Sequence, residues 1–326
     1  MSPRLTIVVP VYNRAELVVR TLDSIVASSA RDYRLIVVDN GSTDDSLVRC
    51  QEWAALHQDV CAGIDVLEEP WKGAAIARNR GLAACQTEYV YFFDSDDLFD
   101  TSLVTAIDGV IDQEAQAGHE PLDMVCLPVR QEVNGRTRTR AYVPTSDAAI
   151  HIINSMLGTL SMVFRTNWLR KLGGWDERLG VWDDWELGLR ALLARPRLRW
   201  ITARPYHHII VHSQSITGAS FTQTLNGILR TMQAALDDVE SVTVAENERE
   251  RLRTAYYLRC LFFAGMLRRE KNLEGEQAFR QLAEKCLPDA SRALRWGGQF
   301  LCSYVGKGGR GGWWLALKML RSGKCF

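Results

Sequence analysis

Three aspartates within four positions, Asp94, Asp96 and Asp97, follow directly on the apolar run Tyr89-Val90-Tyr91-Phe92-Phe93. Carboxylates this close repel one another unless something compensates them, and a divalent cation with oxygen ligands does so most simply. A cation held by acids is in turn a natural partner for a diphosphate. The aromatic and β-branched run reads as a buried strand. That sets the acids at its carboxyl end, where open α/β sheets carry their ligands. The other reading is a solvated Asp-rich turn that caps the next helix, with Asp97 as the capping acid.

A second acidic pair, Asp183-Asp184, stands before Trp185 and Glu186, with Trp175 and Trp182 just upstream. Acids here open a helix and suit the positive end of its dipole. The tryptophans offer flat apolar faces that stack on sugars or fill a core, and their spacing does not choose between the two. His207 and His208 lie in a strand-like run that leads to His212, and only one face of a strand points at a site.

Bringing such acids to one edge requires a sheet. Apolar runs near Leu5–Val11, Tyr33–Asp39, Gly63–Glu68 and Tyr89–Asp94 read as strands, with amphipathic helical stretches between them near Ala15–Ser28, Asp44–Leu56 and Gly73–Cys85. Alternation of this kind predicts a mostly parallel sheet with helices on both faces. A further strand is expected at Met124–Val129, then a hairpin turn at Asn134-Gly135, whose residues tolerate positive φ. Gly173-Gly174 ends a short helix, and strand-like runs follow at Leu198–Thr202 and Tyr206–Val211. From Ala219 onward the pattern is helical almost throughout, and Gly306–Gly312 reads as a hinge without the spacing of a phosphate-binding loop.

The motifs come in a definite order. Pro10-Val11-Tyr12-Asn13-Arg14 ends the first strand, Asp39-Asn40-Gly41-Ser42-Thr43-Asp44 ends the second, and Gly73 to Gly81 opens a helix; Asp94-Ser95-Asp96, Asp183-Asp184-Trp185 and His212-Ser213-Gln214-Ser215-Ile216-Thr217 follow. Together they resemble the inverting family 2 glycosyltransferases with the GT-A fold, over roughly Leu5 to Thr217. The resemblance implies an α/β GT-A catalytic domain over residues 1–218, with a mostly parallel, Rossmann-like sheet, and a helical appendage over residues 219–326. It implies that Pro10, Tyr12 and Asn13 flank the nucleotide base and that Asp39 accepts from a base N–H. Arg78 reaches base, ribose or phosphate from a helix whose Ala74, Ala75, Ala77 and Gly81 permit close approach. Asp94 would contact the ribose or a metal-bound water, and Asp96 would ligate Mn²⁺ or Mg²⁺ bridging the two phosphates. His212 would be a third metal ligand or a diphosphate contact. Asp184 would be the general base that takes the acceptor's proton, so that one displacement inverts the anomeric centre. The pair departs from the family's usual E-D-W in having Asp183 for Glu. Apart from the resemblance, Asp39 is as readily a turn acid, Arg78 a rim residue, the Asp183-Asp184 pair plain helix-start acids and His212 a structural strand-end residue.

The implied reaction takes a nucleotide-diphospho-sugar, a UDP-sugar being favoured, and a hydroxyl on a growing surface glycan or lipid-linked saccharide. Two alternatives stand beside it. A sugar nucleotidyltransferase shares the α/β core and metal acids, but carries a Gly-rich loop where this chain has Pro-Val-Tyr-Asn-Arg. A non-catalytic carbohydrate- or membrane-binding relative would have lost acids that are present here. A dehydrogenase is disfavoured, since no G-x-G-x-x-G follows the first strand.

The 326 residues, 47% hydrophobic and 24% charged, suit a soluble globular protein of one large or two modest domains. Lys plus Arg and Asp plus Glu balance at 39 each, which gives no support to a nucleic-acid partner. The balance is uneven, because residues 290–326 hold seven cations, three tryptophans and no acid. Trp313–Leu320 is apolar apart from Lys318, which suits an anionic membrane surface or a helix packed on its own domain. Eight cysteines without a C-x-x-C pair read as reduced thiols. No apolar run approaches the ~20 residues of a membrane span, and no signal-peptide pattern precedes the first strand. The expected location is cytoplasmic, peripheral at the inner face of the cell membrane.

Overall fold

Leu5–Val11 (β1) is apolar apart from Thr6 and buried throughout apart from the partly covered Pro10, as a central parallel strand must be. Around it the computed structural model describes residues 3–128, 130–133, 136–139, 144–204, 206–211 and 220–322. The chain continues through α1 (Val18–Val26), β2 (Tyr33–Asp39), α2 (Ser46–Leu56), β3 (Ile64–Glu68), α3 (Ala74–Ala84), β4 (Tyr89–Phe92), β5 (Leu98–Phe99) and α4 (Leu103–Gln116). It then forms β6 (Met124–Cys126), β7 (Arg130–Val133), β8 (Arg136–Thr139), α5 (Ala148–Asn154), β9 (Met162–Arg165), α6 (Thr166–Leu172), α7 (Asp183–Leu193), β10 (Leu198–Trp200) and β11 (His207–Val211). Five helices follow: α8 (Leu225–Ser241), α9 (Glu246–Arg269), α10 (Leu273–Cys286), α11 (Arg292–Gly306) and α12 (Gly312–Ser322). Two compact units result, one of Met1–Pro144, Leu157–Leu187 and Arg195–Ser215, the other of Thr145–Met156, Gly188–Ala194 and Ile216–Phe326.

The first unit holds a seven-stranded sheet in the order β10-β6-β9-β4-β1-β2-β3, and β9 alone runs antiparallel to its neighbours. The mostly parallel α/β sheet expected from the alternation is therefore present. A smaller sheet has the order β5-β11-β7-β8. The parallel register sets Val11 opposite Asp39 and Val8 opposite Phe92, so the carboxyl ends of β1, β2 and β4 share one edge. Strand alternation sends Ile7 and Val9 into one buried cluster with Leu22 and Ile25 of α1 and Leu103 and Ile107 of α4. Val8 points the other way, at α3, where a Cβ on Gly81 would lie 2.3 Å from Val8 Cγ1. Overpacking a core costs about 1–3 kcal/mol, which exceeds the ~1 kcal/mol gained when alanine replaces glycine in a helix. Gly81→Ala should therefore lower the urea midpoint of unfolding, while a midpoint raised by better helix propensity would show that α3 moves freely off the sheet.

Some elements depart from expectation. The Met124–Val129 strand stops at Cys126, because the chain leaves the large sheet and starts β7 of the small one at Arg130. The expected turn at Asn134-Gly135 lies outside the described residues; β7 and β8 pair antiparallel with Val133 opposite Arg136. Gly173 closes α6 in the left-handed region, at φ 98°.

In the second unit, α9 is the central helix: every residue from Ala255 to Leu261 is buried, and α5, α8, α10, α11 and α12 pack around it. The buried Arg259 of α9 donates to Ile153 O and Ser155 Oγ, both at 2.7 Å. Gly306–Gly312 is a packed corner rather than a hinge. Tyr304 Oη donates to Arg310 O at 2.8 Å, a Cβ at Gly309 would lie 2.4 Å from the Tyr304 ring, and Gly308 and Gly311 turn the chain at φ 86° and 75°. The apolar residues Ala316, Leu317, Met319 and Leu320 of α12 are buried within this unit, so that helix spends its apolar face on its own fold. Among the described residues no helix is long and apolar enough to cross a membrane.

Candidate active site

At the end of β1, Val8 C=O accepts from Phe93 N, so residue 10, two along, faces the same side. There β4 has already ended, and the donor that Pro10 lacks leaves no gap. Asn13 takes the left-handed region at φ 51°. It is fixed there by its N–H to Ser42 Oγ at 3.0 Å and by Thr43 N–H to its Oδ1 at 2.8 Å, which bind the loop after β1 to the loop after β2. Tyr12 is exposed, and Lys72 Nζ donates to its Oη at 3.0 Å.

Asp39 ends β2 at 3% exposure. Its Oδ2 accepts from Ser42 N–H at 3.0 Å, while its buried Oδ1 has no hydrogen-bond partner. A buried acceptor left unsatisfied costs free energy and marks a place where a donor fits. Beside it Asn40 donates to Trp71 O at 2.6 Å and accepts from Gly73 N–H at 2.8 Å, which fixes the entry of α3.

Arg78, on α3, is 7% exposed and reaches both acidic motifs. Nη2 donates to Asp94 Oδ1 at 3.1 Å, Nη1 donates to Asp183 Oδ2 at 2.8 Å, and the guanidinium lies 4.4 Å from the centroid of the Trp175 ring. Burial works against its charge, but Asp183, Asp94 and Asp184 outweigh that and hold its pKa above the usual arginine value. The next residue, Asn79, accepts from Trp175 N–H and donates to Trp175 O, both at 2.9 Å, and so holds the loop that leads to α7. Gly174 lets that loop close in, since a Cβ there would lie 2.6 Å from Asn79 Oδ1.

Asp94 and Asp96 follow β4. Burial raises the Asp94 carboxyl above its ordinary range; Arg78 opposes this and Asp96 adds to it. Asp96 Oδ2 accepts from Arg14 Nε at 3.3 Å, and its backbone carbonyl accepts from Arg20 at 2.9 Å. Asp97, expected as a cap, is instead buried before the short β5, where its carbonyl accepts from Thr21 Oγ1 at 2.9 Å. Asp184 begins α7 beside Asp183. Its Oδ2 accepts from Thr159 N–H at 3.2 Å and its Oδ1 from Trp185 N–H at 2.7 Å. Burial and then Asp183 push its carboxyl up to about 6 against the pull of Arg78 and these two bonds.

The structure thus places Pro10, Tyr12, Asn13, Asp39, Asp94 and Asp96 at the carboxyl edge of the sheet, and Arg78 links that edge to Asp183, next to Asp184. His212 lies outside the described residues. The acids suit a hard divalent cation: Asp94 and Asp96 stand two residues apart at one strand end, both are oxygen donors, and the Asp94 side chain is 35% exposed. Among the described residues no group of three His, Cys, Asp or Glu side chains is placed to hold an ion. Two partners were not anticipated from the sequence, Arg14 for Asp96 and Arg78 for Asp183. Each pair joins residues 82 or 105 positions apart, and no spacing rule announces them.

The family model described as "Glycosyl transferase family 2" matches residues 6–135. The "Pre-mycofactocin glycosyltransferase" of Mycobacterium tuberculosis is 32% identical over 209 residues, 60% of this chain and 40% of its own length. The "Putative teichuronic acid biosynthesis glycosyltransferase TuaG" of Bacillus subtilis is 34% identical over 96 residues, 29% of this chain and 37% of its own length. The chain thus spans well under half of these relatives. Among solved structures, S. aureus TarS 1–349 in complex with UDP-GlcNAc matches at TM-score 0.70 and 18% identity, over 98% of this chain and 92% of that one. The mannosyltransferase PcManGT of Pyrobaculum calidifontis, in complex with GDP-Man and Mn²⁺, matches at TM-score 0.57 and 18% identity, over 98% and 88%. With the sheet order and the motif positions, these likenesses fix a GT-A fold, whose residues 6–135 match the glycosyl transferase family 2 model.

Proposed function

We propose that the chain transfers a sugar from a nucleotide-diphospho-sugar to an acceptor hydroxyl with inversion at the anomeric carbon. The observation that carries this reading is the Arg78 bridge. One buried guanidinium ties Asp94, at the end of β4, to Asp183, at the start of α7, beside an Asp184 carboxyl pushed up to about 6. Such an arrangement sets a diphosphate-binding acid pair and a proton acceptor within one charge network.

In this reading residues 1–218 are the catalytic domain and residues 219–326 a helical region. The unpartnered Oδ1 of Asp39 receives a base N–H, Tyr12 and Asn13 flank the base after Pro10, and Arg78 and Asp94 orient the ribose and phosphates. Asp96, with His212, holds Mn²⁺ or Mg²⁺. When bound, such a cation opposes the charge that builds on the leaving β-phosphate. Asp184 takes the proton of the attacking hydroxyl, held in line by the Thr159 and Trp185 N–H groups. The complex of TarS with UDP-GlcNAc supports a UDP-sugar donor, and the PcManGT complex supports Mn²⁺. The name of TuaG, a putative teichuronic acid biosynthesis glycosyltransferase, supports an acceptor in polysaccharide biosynthesis; in this reading the acceptor is a growing surface glycan or a lipid-linked saccharide, met at the cytoplasmic face of the membrane.

Thermal unfolding across a panel of nucleotide-sugars, with and without Mn²⁺, tests this reading. The matching donor should raise Tm only with the cation, by the equivalent of about 2.7 kcal/mol at a hundredfold excess over Kd. Stabilisation by no nucleotide-sugar, or by all of them without any cation, would count against it.

A further inference from the structure

Helix α11 has two apolar faces, and only one is used. Its Gly297, Gly298, Leu301, Cys302 and Val305 are buried, and a Cβ on Gly298 would lie 2.3 Å from Leu261 Cδ1, so this face is committed to α9. The opposite stripe follows the i, i+4 spacing of a single helix face: Arg292, Trp296, Phe300, Tyr304. Trp296, Phe300 and Tyr304 are 60%, 47% and 38% exposed. Their rings form a ladder with centroids 6.0 and 6.2 Å apart and planes tilted by 12° and 22°. Three stacked aromatics in water are the kind of exposed apolar patch that marks an interaction surface.

The charges around the ladder say which. Arg292 stands at its first turn, and Tyr304 bonds the carbonyl of Arg310 at its last. Lys307 and Arg310 are exposed at that end. On α12 the exposed Trp314 carries Lys318 Nζ 3.7 Å from its ring centroid. No acid occurs in residues 290–326. A two-fold contact between copies through this stripe would set the same cations against each other. An aromatic stripe that ends in cations at both ends, with nothing negative among them, fits a bilayer instead: rings at the headgroup boundary, cations on the phosphates.

We propose that the outward face of α11, from Arg292 to Arg310, docks the protein reversibly on membranes with anionic headgroups. The surface is only part of the tail expected on sequence, residues 290–326, because α12 buries its apolar residues while α11 leaves its aromatics outside. It stands independently of the transfer reaction. The test uses the full chain with vesicles of phosphatidylcholine alone or of equimolar phosphatidylcholine and phosphatidylglycerol. At low salt the chain should sediment with the mixed vesicles and stay in solution with the neutral ones, and binding should fall steeply as salt is added. Arg292→Glu with Arg310→Glu should weaken partition by roughly 10²-fold or more. Trp296→Ser, Phe300→Ser and Tyr304→Ser together should weaken it by about tenfold or more. Both variants change exposed side chains, and the charge pair stands as a test even if the aromatic triple unfolds. Sedimentation with neutral vesicles alike, unchanged binding by the charge pair, or no binding of the full chain would each overturn the proposal. So would a dimer in solution that the aromatic substitutions dissolve, or capture by a soluble anionic polysaccharide without any binding to vesicles.

Discussion

Asp184→Asn is expected to lower turnover with acceptor by roughly 10²–10⁴-fold, the range for loss of a general base, and to leave donor affinity nearly unchanged. The carboxylate is well placed for the task, since two backbone N–H groups fix both its oxygens and Gly158 leaves room for them; a Cβ there would lie 3.2 Å from Oδ2. Only the ionised form accepts a proton. With burial and Asp183 pushing the carboxyl up to about 6, the rate should fall as pH drops through that value, well above the ordinary aspartate range. Arg78 pulls this pKa down, so Arg78→Gln should move the acid limb to higher pH as well as weaken donor binding. Stability should run the other way. A carboxyl whose folded pKa lies above its unfolded value of ~3.9 favours the fold fully below that value, and the contribution is lost as pH rises through about 6. At neutral pH the ionised Asp184 is thus a liability on the order of 1–3 kcal/mol. Asparagine removes the charge but keeps an oxygen for only one of the two N–H groups. The variant should therefore turn over slowly yet melt no lower than the parent. Normal turnover at saturation with weakened donor binding would move Asp184 from base to binding residue.

How much of this was legible in the sequence depends on the range of the interaction. β1 and β2 were bounded to the residue, because continuous apolar runs closed by Pro-Val-Tyr-Asn and Asp-Asn-Gly carry their own punctuation. The strand β9 was not foreseen. Met162–Arg165 is short and runs straight into α6, so its apolar residues pass for a helix start until the neighbours β4 and β6 give it partners. The helix α4 likewise went unnamed, although Leu103, Ile107 and Ile111 fall at helical spacing on one buried face. In the site, each acid was visible as a residue at a strand or helix end. The Arg78 bridge was not, since it depends on how α3 is pressed on β1 by Gly81 and where Asn79 holds the Trp175 loop. The face of α11 shows the same limit, because apolar residues on two sides of a helix look alike until packing claims one of them.

Asp96→Asn should abolish cation-dependent binding of the donor while the fold survives. The substitution keeps the shape and one oxygen that can accept from Arg14 Nε, now at 3.3 Å, so nothing local need collapse. What it removes is the formal charge of the Asp-x-Asp pair that is not already engaged by Arg78, since Asp94 shares its charge with that guanidinium at 3.1 Å. A hard divalent ion gains most from ionised oxygens, and an amide oxygen is a weak substitute. Loss of an outer-sphere partner alone typically costs a metal site 10–100-fold in affinity, so loss of a ligand should cost at least about that. Calorimetry with Mn²⁺ alone, then with donor, separates the two steps. The Asn variant should lose the Mn²⁺ heat and, with it, the Mn²⁺-dependent part of donor binding. Arg14→Ala provides the converse, because Arg14 now neutralises Asp96 and competes with any cation there. Its removal should leave Mn²⁺ affinity unchanged or raise it. Wild-type turnover of Asp96→Asn at saturating Mn²⁺ would remove Asp96 from the metal site, and weaker Mn²⁺ binding by Arg14→Ala would show that the arginine positions the carboxylate rather than competing for it.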